Sequence, residues 1–293
     1  MLNKILLFAG IFFTGVILCR GEVISARRAF RSEAEKCGYQ AEFLIGRLHD
    51  PDVEISRYAI MLIAEKHPEA ALKAFESFNG RLDPLIAEAL LTALASYPAE
   101  KSGALQKRFL ASCDDPRLQA FGKSKLPYRM NFSLRNDPSY DHAVTVIKKI
   151  LLPLNNWKFM TDPADEGFDR KFWTANFNDS DWKTLAIGKT WEEQGFAGYD
   201  GIAWYRLKFT MPGKMDCNSA DIAFEAVDES SWVWLNGKFI GQHDVGAAGW
   251  NTPFFLNIAS ELNWGGENIL VVRVKDSAQA GGIWKPVFIE VLK

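Results

Sequence analysis

Apolar residues keep a helical spacing up to about residue 126 and a two-residue spacing from about residue 145, so this chain must fold into two units of different class. Ile55, Tyr58, Ala59, Leu62 and Ile63 fall at i, i+3, i+4, i+7 and i+8, lining one face of a helix. Ile86, Ala89, Leu90, Ala93 and Leu94 repeat that spacing. Asp50-Pro51, Asp83-Pro84 and Asp115-Pro116 stand 33 and 32 residues apart. Asp accepts hydrogen bonds from the free amides of a helix N-terminus and Pro fits the first turn, so each pair is expected to start a helix. Two helices per period predict a stacked helical solenoid, with a small irregular bundle as the alternative. In the second half the alternation is that of strands. Tyr205, Leu207 and Phe209 share one face, as do Leu270, Val272 and Val274, or Val287, Ile289 and Val291. Turns such as Asn236-Gly237 separate these runs and no helices alternate with them, which predicts an antiparallel sandwich or barrel, not a parallel α/β sheet.

The expected organisation is an N-terminal segment to residue 26, helical repeats over 27–126, a linker over 127–144 and a β-sandwich over 145–293. The chain's 293 residues exceed what one core usually takes, in keeping with two units. A Lys near the start, an apolar run from Ile5 to Leu18 and polar residues beyond it read as a secretory signal, too short for a spanning helix of about 20 residues. Export to the periplasm or the medium is the expectation, with lipidation of Cys19 as an alternative route to an anchor. Formal net charge is −2 and no basic block occurs, which argues against nucleic acid or anionic membrane as partner. Cys37, Cys113 and Cys217 remain after the signal, at no metal-ligand spacing, and read as buried thiols, a Cys37–Cys113 bridge being the alternative.

Two resemblances add to this. DPDVEISRYAIMLIAEK and DPLIAEALLTALASY resemble HEAT-type repeats, which implies a protein-binding surface. The ordered series NNWKFMTDP, FNDSDWKTL, TWEEQGFAGYDGIAWYRLKFTMP, AFEAVDESSWVWLNGKFIGQHDVG, ENILVVRVKD and GGIWKPV resembles the sugar-binding jelly-roll domain of family 2 glycoside hydrolases. That likeness implies a galactose-binding-like β-sandwich. In family 2 β-galactosidases the loop after the VRV-type strand carries an Asp that leans into the active site, which corresponds to Asp276 here. The loop before the WYR-type strand, Trp191 to Asp200 here, also approaches that site. The catalytic carboxylates of those enzymes sit on a separate barrel for which these residues leave no room, so the resemblance implies ligand proximity and not catalysis.

Sugar sites combine aromatic rings with a few placed polar groups, and Tyr199, Asp200, Trp204, Arg206, Asp276 and Trp284 are the expected ligand-binding set. Core packing alone would account for the rings; the added Asp and Arg point to a ligand. No catalytic residue is assigned, because Glu192-Glu193 and Asp228-Glu229 are neighbours that an extended strand would point to opposite faces. The histidines, His49, His67, His142 and His243, are scattered, so no zinc site is expected, and His243 is expected to fix a loop by hydrogen bonds. The oxygen-rich runs from Asp162 and Asn178 suit turns, with a structural calcium ion as the alternative. These readings favour an exported, non-catalytic carbohydrate-binding protein. The alternatives are a family 2-related protein with glycosidase activity or a catalytic partner, and a scaffold that works through its repeats.

Overall fold

A computed structural model describes residues 26–129, 135 and 144–293; the expected export segment, Cys19 and much of the expected linker lie outside the described residues. Two compact units divide at Lys123 and Ser124.

The first unit is helical. Residues 26–36 (α1), Ala41–Ile45 (α2), Val53–Lys66 (α3), Pro68–Phe75 (α4), Pro84–Leu94 (α5), Ala99–Ala111 (α6) and Pro116–Lys123 (α7) follow one another, and α3 packs on α4 and α5, and α5 on α6. Both apolar stripes turn inward: Ile55, Ala59 and Ile63 of α3 and all five stripe residues of α5 are buried. Asp83 caps α5 through the Leu85 amide at 2.8 Å, and the Asp115 carboxylate accepts from the Arg117 amide at the start of α7. The first Asp-Pro pair departs from expectation. Asp52 is the cap of α3, accepting from the Glu54 amide at 2.9 Å, while Asp50 accepts from Asp52 and shapes the preceding turn. Residues one period apart touch. The Tyr97 hydroxyl donates to the Ala64 carbonyl at 3.5 Å, Arg108 to the Phe75 carbonyl at 3.1 Å, and Lys101 pairs with Glu69 at 2.9 Å. Cys37, Cys113 and Cys217 are all free thiols; Cys113 is buried and the other two are half-buried.

The second unit is an antiparallel β-sandwich. One sheet has the order β1-β10-β5-β8, built from Val146–Leu151 (β1), Val287–Leu292 (β10), Ser219–Phe224 (β5) and Phe254–Asn257 (β8). The other runs β3-β2-β4-β9-β6-β7, from Lys183–Leu185, Trp157–Thr161, Gly201–Thr210, Glu267–Asp276, Ser230–Leu235 and Lys238–Asp244 respectively. Tyr205, Leu207, Val233 and Val272 of the larger sheet meet Ile222, Phe224, Leu256 and Ile289 of the smaller in one core. Asn236 and Gly237, at φ +53° and +79°, form the tight turn that joins β6 to β7 with Leu235 opposite Lys238. The outer face of the larger sheet is buried too, where Trp204, Trp234 and Val271 are covered by Phe172, Trp182 and Leu126. Described residues of the expected linker join this unit: the Arg129 amide donates to Gln242 at 2.9 Å, and Arg135 pairs with Asp221 at 3.1 Å.

Replacing Asp83 with Ala should remove a cap of ordinary strength, about 1 kcal/mol. Chemical denaturation followed by helical circular dichroism should show the helical transition at lower denaturant, with the sandwich's tryptophan fluorescence transition unmoved.

Candidate functional site

Three loops meet at one rim of the sandwich, and a pair of glycines is the point where they join. The Trp191 amide donates to the Gly281 carbonyl at 3.0 Å, the Gly281 amide to Glu192 Oε2 at 3.1 Å, and the Asp228 amide to the Gly282 carbonyl at 3.0 Å. Gly281 lies so close to the Trp191 ring that a β-carbon there would stand 2.1 Å from it. Gly282, at φ +120°, lies over the Tyr205 hydroxyl. The β4–β9 ladder ends with Gly201 opposite Asp276, and β6 lies on the other side of β9 with Ser230 opposite Lys275. Strand order alone therefore brings Asp200, Asp276, Asp228 and Glu229 to the same edge.

Asp276 is 1% exposed; its Oδ1 accepts from the Ala278 amide at 3.0 Å, and its Oδ2 is buried with no hydrogen-bond partner among the described residues. Glu192 Oε1 is likewise buried and unpartnered. Glu229 holds a left-handed backbone, φ +54°, and its carboxylate accepts twice from the Ser277 hydroxyl, at 2.8 and 2.7 Å. Burial, with Asp276, Glu229 and Glu192 as like-charged neighbours, pushes Asp228 up to about 7. Burial, reinforced by Glu229, Asp200 and Glu192, pushes Asp276 up to about 6. Sequence adjacency does not reveal the relation between Asp228 and Asp276, which comes from neighbouring strands.

The six expected ligand residues separate into two groups. Tyr199, Asp200, Asp276 and Trp284 belong to the rim. Tyr199 packs edge-on to Trp191 at 5.6 Å and its hydroxyl donates to the Ile202 carbonyl at 2.6 Å. Trp204 and Arg206 do not belong to it, and the expectation is corrected for both. Trp204 is fully buried, stacked on Trp234 at 5.4 Å, with its indole N–H on Asp162 Oδ2 at 2.9 Å. Arg206 is 2% exposed and donates to Asp179 and to the carbonyls of Phe172, Thr174 and Ala175. The alternation along β4 turns both side chains to the sheet's covered outer face, where their polar groups are spent on holding the 162–182 segment.

A ring not expected from the sequence is the one that faces outward. Trp250, in the 3-10 turn Gly246–Asn251, is 52% exposed and stacks on Trp284 at 5.7 Å and 14°, and its carbonyl accepts from the Trp284 indole at 2.8 Å. Gly249 seats this turn against the Glu229 carbonyl, so the aromatic pair adjoins the acidic rim. His243 differs from expectation: it lies flat on Phe254 at 4.5 Å, and its Nε2 has no hydrogen-bond partner among the described residues. Asp162 spends its oxygens on the amides of Glu166 and Gly167 and on Trp204, and Asn178 accepts from the Ser180 amide. Among the described residues no group of three or more His, Cys, Asp or Glu is placed to hold a metal ion.

A family model described as the β-galactosidase second all-beta domain matches residues 168–280. A β-glucuronidase of Formosa agariphila is 27% identical over 134 residues, which is 41% of this chain and 13% of that protein. A β-galactosidase of Thermoanaerobacter pseudethanolicus is 25% identical over 157 residues, 47% of this chain and 20% of that protein. The second unit is a β-sandwich related to those of family 2 glycoside hydrolases. The chain thus matches a fifth or less of the length of these two relatives. The solved Ruminococcus gnavus β-glucuronidase aligns with a TM-score of 0.43 and 16% identity over 49% of this chain and 28% of that one.

The family 2-related sandwich yields two predictions. Arg206→Ala strands Asp179 and three carbonyls, and should cost about 3 kcal/mol of sandwich stability, read as a lower denaturation midpoint. Asp228 and Asp276 hold protons in the folded state that an unfolded chain with ordinary values near 3.8 has lost, so the stability they confer is complete below that pH and lost as pH rises through 6 to 7. Asp228→Asn should therefore raise the melting temperature at pH 8 and change it little at pH 4.

Proposed function

We propose that this chain is an accessory module of glycoside processing: its sandwich contacts sugar at the Asp276 rim, and glycosidic bond chemistry is supplied by a catalytic partner. The relatives are glycosidases, which favours this reading over a free-standing binding protein. The observation that carries it is Asp276. A carboxylate 1% exposed with one oxygen unpartnered is costly unless something fills it, and it stands where the family resemblance puts an Asp that leans into the active site. A sugar hydroxyl supplies the missing donor, and the Trp250–Trp284 pair supplies a flat apolar surface for a pyranose face.

The helical unit, read as HEAT-like repeats, is the surface for a protein partner; the bonds between residues about one period apart support a stacked arrangement. The first 26 residues, read as an export signal, put this activity in the periplasm or outside the cell.

Asp228 and Asp276 also favour a second reading, in which the rim itself works on a glycoside, because carboxyls held near 7 and 6 are suited to proton transfer at neutral pH. A glycan array with the full chain, its Asp276→Ala and Trp250→Ala variants, and a parallel nitrophenyl glycoside assay separate the two. The accessory reading expects binding by the parent, loss of at least tenfold in each variant, equivalent to about 1.4 kcal/mol, and no turnover. Turnover abolished by Asp228→Asn would establish the second reading; neither binding nor turnover by the parent would refute both.

A further inference from the structure

The rim carries a charge pattern that selects among sugars. Five carboxyl groups, Glu192, Asp200, Asp228, Glu229 and Asp276, lie on the loops and strand ends of this rim, and the charged neighbours that most raise Asp228 and Asp276 are acidic. Their hydrogen-bond partners are neutral: the Gly281 and Ala278 amides and the Ser277 hydroxyl. Lys275 precedes Asp276 on β9 and so projects from the opposite face. Lys285 lies over the Trp284 ring, its Nζ 4.6 Å from the centroid, and donates to Asn251 Oδ1 at 2.5 Å. The buried acceptors of Asp276 and Glu192 therefore stand without donors among the described residues at a predominantly acidic rim, and the exposed Trp250 ring belongs to the turn that Gly249 seats against the Glu229 carbonyl.

We infer that the sugar unit seated on this rim carries a protonated amine: an amino sugar stacks on Trp250 and directs its ammonium group to the unpartnered oxygens of Asp276 and Glu192. An ammonium brings three donors and a positive charge to acceptors that lack both. A neutral sugar brings donors only. A uronate brings a further negative charge beside carboxyls that already raise one another, so the rim discriminates against it. The order of affinity is amino sugar, then neutral sugar, then uronate, although relatives of the sandwich include β-glucuronidases.

This inference rests on the proposed sugar contact at Asp276, and the experiment separates the two. Titrate the full chain by calorimetry at pH 6.5 with chitosan oligosaccharides, with their fully N-acetylated counterparts, and with oligogalacturonate. The first pair share a backbone and differ in charge. Amine-bearing oligomers should bind about tenfold more tightly than the acetylated ones, a difference of about 1.4 kcal/mol, and oligogalacturonate most weakly. Asp276→Asn should bring the first two affinities within twofold of each other, whereas Trp250→Ala should weaken both alike. A general attraction of polycations to the chain's acidic surface would leave the preference intact in Asp276→Asn, and that result overturns the inference. Equal or tighter binding of the acetylated oligomers or of the uronate overturns it while leaving the sugar-contact reading in place. No binding of any of the three overturns both.

Discussion

The ladder between β4 and β9 is the interaction on which the sandwich depends. Ten residue pairs run from Gly201 opposite Asp276 to Thr210 opposite Glu267, at the centre of the larger sheet. One face of the ladder gives Tyr205, Leu207, Val272 and Val274 to the core, and the other gives Trp204, Arg206, Val271 and Arg273 to a second, outer layer. A slip of one residue would exchange these sets and put two arginines between the sheets, so the register is strongly specified. Asp162 and Asp179 lock it from outside through Trp204 and Arg206, and Asp165 does so through Arg273 at 2.8 Å.

The rim is a consequence of that register. Because the ladder ends at Gly201 and Asp276, the segments leaving β4 and β9 depart side by side, and the adjacent β6 adds Asp228 and Glu229. Gly281 and Gly282 then let the chain cross directly over Trp191 and Tyr205, which brings the fifth carboxylate, Glu192, into hydrogen-bond reach of the Gly281 amide. The raised carboxyls follow from geometry: burial removes water from Asp228 and Asp276, and crowding by like charges adds to the cost of ionising them.

The helical unit follows a simpler logic. Each helix buries one stripe against its neighbours, and the polar bonds between residues about one period apart fix the spacing of successive pairs. Its caps show how local chemistry competes. Where two Asp residues flank a Pro, as in Asp50-Pro51-Asp52, the second becomes the cap and the first folds back to the second's amide, because only one carboxylate can meet the first free amides of the helix.

The sequence by itself determined the class of both units, since a helical period and a two-residue period leave only one way to bury each apolar stripe, and it determined the hairpin at Asn236-Gly237 and the caps at Asp83 and Asp115. It also put Asp200, Tyr199 and Trp284 on loops, whereas Asp276, expected on the loop after its strand, is the last residue of β9. Only the tertiary structure decided which faces were covered. Alternation places Trp204 and Arg206 together on one side of β4, but whether that side meets solvent depends on the 162–182 segment, which has no regular pattern to read and closes over them. The electrostatic influence of Asp276 on Asp228 joins residues 48 positions apart through a neighbouring strand, and the exposure of Trp250 depends on a short 3-10 turn seated against Glu229. Periodicity reports local direction, whereas burial and electrostatic coupling are set by contacts between segments far apart in the chain, so the fold was legible from the residues and the chemistry of its rim was not.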